Sequence, residues 1–266
     1  MIQSFGSILR RIRPYQYKKR TMIRLNEIST KPPREAVKEE YRAKTEELLE
    51  KLRELQKKLY AQAEYSLLVV LQGLDASGKD GAINHVFSGL NLLGCEVTAF
   101  KAPSEEEKKH DFLWRVHGRV PAKGMIGLFN RSHYEDVLVP RVQKWVDAQV
   151  IKDRYRHINH FEQLLADSQT TLVKCYLHVS AEEQQSRLVE RTQNPEKYWK
   201  HDDGDWAVAA QRDHYLEAYE DVFKHCSEAA PWHIVPADKN WYKHYTLARV
   251  TVEALEKLPL AYPAFR

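Results

Sequence analysis

The sequence predicts an α/β protein in which helices cover both faces of a parallel sheet. Short apolar runs alternate along the chain with longer segments of helical periodicity, and this alternation is typical of parallel sheets. One apolar run leads directly into a glycine-rich loop and then into a helical segment, an order that points the helix N-terminus at an anion. The 266 residues, 43% hydrophobic and 29% charged, are sufficient for one sizeable core, so we expect a single α/β domain with an appendage.

The first 33 residues are predicted to form a basic N-terminal arm, and residues 34–266 one domain. Seven cations precede the first acidic residue, Glu27. They are Arg10, Arg11, Arg13, Lys18, Lys19, Arg20 and Arg24. Clustered cations favour polyanions, because binding releases the counterions of the polyanion. The alternative is a solvated basic tail with no specific partner.

The domain is predicted to begin with a long helix over residues 34–63, directly after Pro32-Pro33. Its leucines recur at helical spacing and form one apolar stripe on an otherwise charged helix. They are Leu48, Leu52, Leu55 and Leu59. The stripe predicts packing on the protein's own sheet or against a second subunit.

Five short apolar runs predict the strands of the sheet, since strands buried on both faces are continuously apolar. They cover residues 65–72, 96–100, 125–129, 170–180 and 233–236. Further helices are predicted between and after these strands. They cover residues 81–87, 105–117, 134–147, 153–166, 181–191, 206–225 and 241–258.

The loop from Gly73 to Asp80 fits the Gly-x4-Gly-Lys pattern of phosphate-binding loops. Its small residues let backbone N–H groups wrap phosphate oxygens, and Lys79 neutralises the phosphate charge. These small residues are Gly73, Ala76, Ser77 and Gly78. Asp80 replaces the hydroxyl residue that normally follows the lysine and binds Mg²⁺. Asp75 is the predicted replacement ligand, because a carboxylate beside bound phosphate requires a cation between them.

A polar run follows the strand at residues 125–129, at the edge where open α/β sheets bind their ligands. It is Asn130-Arg131-Ser132-His133-Tyr134-Glu135-Asp136. Arg131 supplies a planar donor fork for phosphate, and Glu135 or Asp136 is a candidate to position Mg²⁺. The alternative is a capping box in which Ser132 caps a helix and Glu135 completes the box, and both interpretations can hold at once.

A third polar segment, at about residues 187–206, is predicted to be a lid. Its cations Arg187, Arg191 and Lys200 surround Asn194-Pro195, and Gly204-Asp205 mark its far end. A lid that closes over phosphates excludes water, which would otherwise hydrolyse the transferred group. The alternative is a plain exposed loop.

Taken together, the three segments resemble the polyphosphate kinase 2 family. The family patterns Gly-x-Asp-x-x-Gly-Lys-Asp, Phe-Asn-Arg-Ser-x-Tyr-Glu and Arg-x-x-Asn-Pro-Glu-Lys-x-Trp-Lys follow in this order at residues 73–80, 129–135 and 191–200. The resemblance covers roughly residues 35–258. It implies a P-loop kinase-like fold with a helical lid. It also implies reversible phosphoryl transfer between inorganic polyphosphate and nucleotides with Mg²⁺, for which Mn²⁺ is a substitute.

The resemblance also implies roles for individual residues. Other branches of the family carry aspartate at the position of Asn130. An asparagine there resembles the branch that converts AMP to ADP and ADP to ATP. The expected catalytic residues are Asp75, Lys79, Arg131 and Arg191, and the expected metal ligands are Asp75 and Glu135. Binding of phosphate and nucleotide is expected from Gly73, Ala76, Ser77, Gly78, Asp80, Asn130, His133, Tyr134, Glu135, Arg187, Lys200 and Asp205.

The expected partners are inorganic polyphosphate, adenine nucleotides with guanine as a second base, and further copies of the chain in a dimer or tetramer. The sequence contains no long apolar run and no nucleic-acid fold pattern, so we expect neither a membrane nor a nucleic acid as partner. Cys95, Cys175 and Cys226 are predicted to be reduced residues of a cytoplasmic protein. The alternatives are an ATP-dependent nucleotide kinase, which should prefer Ser or Thr at position 80, and a non-catalytic polyanion-binding protein.

Overall fold

The computed structural model describes residues 15–16 and 23–265. Most of the predicted basic arm therefore lies outside the described residues, and its role stays a prediction. The helices of the described part are α1 (Lys38–Gln62), α2 (Lys79–Phe87), α3 (Trp114–His117), α4 (Glu135–Val142), α5 (Ala148–Asp167), α6 (Ala181–Gln193), α7 (Gly204–Ala210), α8 (Arg212–His225) and α9 (Asn240–Leu255). The strands are β1 (Tyr15–Gln16), β2 (Ser66–Gln72), β3 (Cys95–Ala99), β4 (Ile126–Asn130), β5 (Thr170–His178) and β6 (Trp232–Pro236).

The strands form one sheet in the order β1-β6-β5-β2-β4-β3. The short β1 is antiparallel to β6, and all the other neighbouring strands are parallel. The five predicted strands all form, which confirms the predicted parallel α/β sheet. Since parallel strands expose their carboxyl ends on one edge, the loops after β2, β3 and β4 meet there.

Alternate residues of β2 point to opposite faces of the sheet, and each face carries its own core. Leu68 and Val70 pack with apolar side chains of α4, α5 and α8. Leu67, Val69 and Leu71 pack on the other face with α1, α2 and α9. The predicted cover of helices on both faces is thereby confirmed.

The leucine stripe of α1 packs against the protein's own core. Leu52 and Leu59 are completely buried, and Leu48 and Leu55 are partly buried against the same cluster. Their partners come chiefly from α9 and the sheet, so a second subunit is not needed to cover this stripe.

Several helix predictions are wrong in their boundaries. The helix predicted from residue 34 begins at Lys38, and the helix predicted from residue 153 begins at Ala148. The helix predicted at 105–117 is a short 3-10 helix at Glu107–Lys109 followed by α3, because its first half has no apolar residue to bury. The helix predicted at 134–147 ends at Val142, and Lys144 adopts a left-handed conformation. The helix predicted at 206–225 breaks at Gln211, which separates α7 from α8.

Cys95, Cys175 and Cys226 are free thiols, the last two buried. Among the described helices, none combines the length and the apolar character that a bilayer crossing requires.

A completely buried ion pair joins α5 to β5 beneath the sheet edge. Lys174 Nζ donates to Glu162 Oε2 over 2.5 Å, and neither side chain is exposed. Tyr134 Oη donates to the second carboxylate oxygen over 2.6 Å, and Lys174 also donates to the Cys226 carbonyl over 2.9 Å. Because every charged atom of the pair has a partner, its removal from water is compensated.

Replacing Lys174 by Met is expected to lower the free energy of unfolding by about 3–5 kcal/mol, because Glu162 would be left as a buried charge without its cation. Urea denaturation measures the loss. Adding Glu162→Gln to the same chain should recover part of it, since the stranded charge is then removed. A single variant as stable as wild type would contradict this assignment.

Candidate active site

A cavity of about 1110 Å³ lies at the carboxyl ends of β2, β3 and β4. The loop after β2 and the polar run after β4 form one wall, and the segment between α6 and α7 closes one side. Most of the predicted site residues line this cavity. They are Asp75, Ala76, Lys79, Asp80, Asn130, Arg131, Glu135, Arg191, Lys200 and Asp205. The structure therefore brings together residues from all three segments.

The loop after β2 has the backbone conformation of an anion-binding nest. Ala76 (φ 60°) and Gly78 (φ 88°) are both left-handed, and such alternation turns successive N–H groups to one side. Gly73 is required for a different reason. A Cβ there would lie 2.8 Å from Ser77 Oγ and 2.9 Å from the Leu177 carbonyl oxygen, so any side chain would force the loop apart.

Lys79 begins α2 and folds back into this loop. Its ammonium donates to the carbonyl oxygens of Gly73 over 2.7 Å and Leu74 over 3.2 Å, and only 8% of the residue is exposed. Burial and the charge of nearby Arg131 together lower the pKa of Lys79 to about 8, against the opposing effect of Asp75. Lys79 therefore lies within the loop, and its charged form is less stable there than in water.

Arg131 joins two carboxylates that come from different parts of the chain. One guanidinium nitrogen donates to Asp75, and the other donates to Glu135 over 3.2 Å. Burial acts to lower the pKa of Arg131, but the charges of Glu135 and Asp75 outweigh it and the pKa is raised. Arg131 thus stays charged at the mouth of the loop.

The same two carboxylates fit a hard divalent cation. The side chains of Asp75 and Glu135 are 12% and 17% exposed and both line the cavity. Mg²⁺ prefers oxygen ligands and is usually held by one or two carboxylates together with phosphate oxygens and water. Asp80 also lines the cavity, and its Oδ1 accepts a hydrogen bond from Asn130 Nδ2 over 2.6 Å. Asp75 and Glu135 are the candidate metal ligands because their shared contact with Arg131 brings the two carboxylates together.

An ion pair links the two ends of the predicted lid. Arg191, near the end of α6, donates to the carboxylate of Asp205 in α7 and to the Lys200 carbonyl over 3.2 Å. The Lys200 ammonium lies 4.8 Å from the centre of the Trp199 ring. All four side chains line the cavity, so this segment adds two cations and an aromatic ring to its wall.

His133 and Tyr134 were predicted to bind substrate, and the structure corrects this. Both are completely buried and neither lines the cavity. Tyr134 is bound to Glu162 in the ion-pair network, and the His133 ring packs beside Phe161. The physical reason is the turn in this run: Arg131 has a left-handed backbone (φ 61°) and α4 begins only at Glu135, so residues 133 and 134 face the core.

Arg187 is corrected in the same way. It was predicted to bind phosphate, but its guanidinium lies behind the loop and donates to the carbonyl oxygens of Ala76 (3.0 Å), Ser77 (3.1 Å) and Ala237 (2.8 Å). The capping-box interpretation holds only in part: Ser132 Oγ accepts from the Tyr134 N–H over 3.2 Å, but Glu135 does not complete the box. The helix begins at Glu135 with Tyr134 as N-cap residue, and the Glu135 carboxylate contacts Arg131 instead.

Sequence reasoning missed several further residues that line the cavity. Among them are four cations and two aromatic side chains. They are Lys101, Lys108, Arg115, Arg154, Phe112 and Trp145. Lys101 closely follows β3 and was predictable, because it lies at the same sheet edge as the other two segments. Arg154 comes from the middle of α5, where no local pattern marks it.

The fold and the cavity define a P-loop phosphate-binding protein of the kinase-like class. Residues 35–260 match the family described as polyphosphate kinase 2 (PPK2), and the chain belongs to this family. The resemblance inferred from the three segments is thereby confirmed.

Several relatives and solved structures share most of the chain. The AMP/ADP-polyphosphate phosphotransferase of Meiothermus ruber is 51% identical over 216 residues, covering 81% of this chain and 80% of the relative. The ADP-polyphosphate phosphotransferase of Rhodopseudomonas palustris is 39% identical over 239 residues, covering 85% and 83%. The crystal structure of polyphosphate kinase 2 from Arthrobacter aurescens TC1 superposes on this chain with a TM-score of 0.88. The two sequences are 42% identical, and the match covers 91% of this chain and 88% of that one.

The lowered pKa of Lys79 predicts that anion binding weakens as the pH rises. Below a pH of about 8 the ammonium carries its charge, and above it the charge is lost. Sulfate, which stays a dianion across this range, should therefore bind more weakly at pH 9.5 than at pH 7, as measured by titration calorimetry. The Lys79→Arg variant is the control. Its guanidinium stays charged, so its affinity for sulfate should change little between pH 7 and pH 9.5. Equal pH dependence in both proteins would contradict the assignment.

Proposed function

We propose that the protein transfers phosphoryl groups reversibly between inorganic polyphosphate and nucleotides, converting AMP to ADP and ADP to ATP. The observation that carries this proposal is the joint placement of Lys79, Arg131 and Asp75 at a nest-shaped loop. Membership of the PPK2 family and the names of the relatives from M. ruber and R. palustris support it.

Phosphoryl transfer depends on positioning and charge neutralisation more than on covalent chemistry. The loop N–H groups and Lys79 bind phosphate oxygens, and Arg131 stabilises charge on the transferred group. Glu135 and Asp75 orient the guanidinium of Arg131, so this cation is held in place before substrate arrives. Each contact acts on charge that increases as the phosphoryl group moves.

Mg²⁺ is the proposed cofactor, with Mn²⁺ as a substitute. Asp75 and Glu135 would hold it, and a bound divalent cation supplies positive charge between these carboxylates and the phosphate oxygens. This role explains why a carboxylate is present inside a phosphate-binding loop.

The cavity has room and charge for two phosphate-bearing substrates. Its volume lies slightly above the range usual for ligand pockets. The cations that line the cavity include Lys79, Arg131, Arg115 and Arg154, and the last two contact Asp136. We assign polyphosphate and nucleotide to this shared cavity, with adenine as the main base and guanine as a second one.

Two further assignments concern the cellular location and the oligomeric state. We place the enzyme in the cytoplasm, where free thiols such as Cys95, Cys175 and Cys226 stay reduced. Assembly into a dimer or tetramer stays a prediction, which size-exclusion chromatography with light scattering tests.

A donor and acceptor assay tests the proposed function. The purified protein is incubated with Mg²⁺ and polyphosphate and with each of AMP, ADP, GMP and GDP, and the products are separated by ion-exchange chromatography. Formation of ADP and ATP from AMP is expected. Transfer from ATP but not from polyphosphate would identify a nucleotide kinase, and binding without turnover would identify a polyanion-binding protein.

Asp75→Asn is expected to lower kcat on the order of a hundredfold or more while leaving the fold intact, because one metal or charge contact contributes a few kcal/mol to the transition state. Steady-state kinetics and the thermal unfolding midpoint measure the two effects. Asp213→Asn, on an exposed turn of α8, is the matched control and should be silent. Wild-type turnover in Asp75→Asn at ordinary Mg²⁺ would overturn the metal assignment.

Arg191→Ala tests the proposed lid. We expect a strong loss of kcat with a small loss of thermal stability, because Arg191 reaches the cavity from a segment with few buried contacts. Lys197→Ala is the control, since Lys197 pairs with Glu190 in an exposed ion pair of the kind that contributes little. Equal and small effects of both substitutions would show an ordinary surface loop.

A further inference from the structure

Lys243 is a buried cation directly behind the phosphate-binding loop. It lies in the first turn of α9 and is 1% exposed. Its ammonium donates to the Ser77 carbonyl over 3.3 Å and to Asn240 Oδ1 over 2.9 Å. Both partners are neutral oxygen atoms, so these contacts satisfy hydrogen bonds without balancing the charge.

The neighbouring cation behind the loop is balanced differently. Arg187 pairs with Glu183 over 2.9 Å, so its charge is compensated within α6. For Lys243, burial and the charges of Arg187 and Lys79 lower the pKa to about 7, and Glu183 only partly opposes the shift. The surroundings of Lys243 thus disfavour its charge. A group that balances this charge must come from outside the free protein.

The position of Gly78 shows how close Lys243 lies to the loop backbone. A Cβ on Gly78 would be 2.3 Å from Lys243 Nζ, so the ammonium occupies the space that a side chain would need. Gly78 is also the N-cap residue of α2, where the helix N-terminus faces the cavity. Lys243 and Lys79 therefore lie near opposite sides of one layer of backbone. Both charges would attract a phosphate bound in the nest, because the protein between them has a low dielectric constant.

We propose that Lys243 is a positioning residue of the phosphate-binding loop, and that substrate phosphate balances its charge across the loop. Its bond to the Ser77 carbonyl holds that oxygen away from the cavity, so that the loop N–H groups face the anion. Its charge adds to the positive potential at the nest without touching the reacting atoms. The inference rests on the proposed function only in that it requires the loop to bind phosphate.

This role predicts opposite effects on the free and the bound protein. In Lys243→Met the buried charge is removed, while the Ser77 carbonyl keeps its bond from Arg187. The free protein should therefore have an equal or higher thermal unfolding midpoint. Inorganic triphosphate should bind about tenfold or more weakly, which corresponds to the loss of about one pKa unit of interaction. The KM for polyphosphate should rise accordingly.

Two further variants define the experiment. Lys239→Met, four residues earlier and exposed, is the matched control and should bind triphosphate like wild type. Lys243→Gln keeps a hydrogen-bond donor for Ser77 without the charge, and it also covers the case in which the Met variant does not fold. Weak triphosphate binding by the Gln variant supports the role of charge. Wild-type binding by this variant would overturn it.

Proton uptake gives a readout that a purely structural lysine would not change. At pH 8 Lys243 is mostly neutral in the free protein, and bound triphosphate should recharge it. Calorimetry in two buffers of different ionisation enthalpy should therefore show fewer protons taken up by Lys243→Met than by wild type. Equal uptake, or a large loss of stability with unchanged triphosphate affinity, would overturn the inference. If wild type binds triphosphate but phosphorylates no nucleotide, the proposed function fails while this inference stands.

Discussion

The contact of Arg131 with Asp75 and Glu135 is the constraint on which the geometry of the cavity depends. It requires β2 and β4 to be neighbours in register, with Leu71 opposite Asn130, so that their following loops start at the same level. It also requires the left-handed backbone of Arg131 (φ 61°), which turns the chain back over the loop after β2. The start of α4 at Glu135 then places the second carboxylate 3.2 Å from the guanidinium.

A second regularity concerns the carbonyl oxygens of the loop. Lys79 binds those of Gly73 and Leu74 from within, and Arg187 and Lys243 bind those of Ala76 and Ser77 from behind. Two N–H groups of the loop are also bound within the protein, that of Ser77 to the Leu74 carbonyl over 3.1 Å and that of Gly73 to Tyr219 Oη over 3.2 Å. The cations around the loop thus fix its conformation as well as its charge.

Sequence patterns predicted the sheet, because each strand is short, apolar and bounded by polar residues. They also predicted the residues that meet at the sheet edge, since Asp75 and Arg131 follow neighbouring strands. They failed for His133 and Tyr134, because a run of polar letters does not show which of them face inward. Arg154 and Lys243 were missed because each reaches the loop region from a distant helix. Only the packing of α5 and α9 brings these cations to the site.

The site combines a rigid part with a loosely held one. Gln72 donates to Ser132 over 3.1 Å, and Tyr219 of α8 bridges Gln72 and the Gly73 N–H at 3.2 Å each, so the two substrate-facing loops are fixed to one another. By contrast, the 3-10 helix at 195–200 and α7 bury none of their residues. The break at Gln211 separates α7 from the buried α8, so displacing the segment would expose little apolar surface. Its position depends mainly on the Arg191–Asp205 ion pair, whose carboxylate has a pKa raised by burial and by the charge of Asp75.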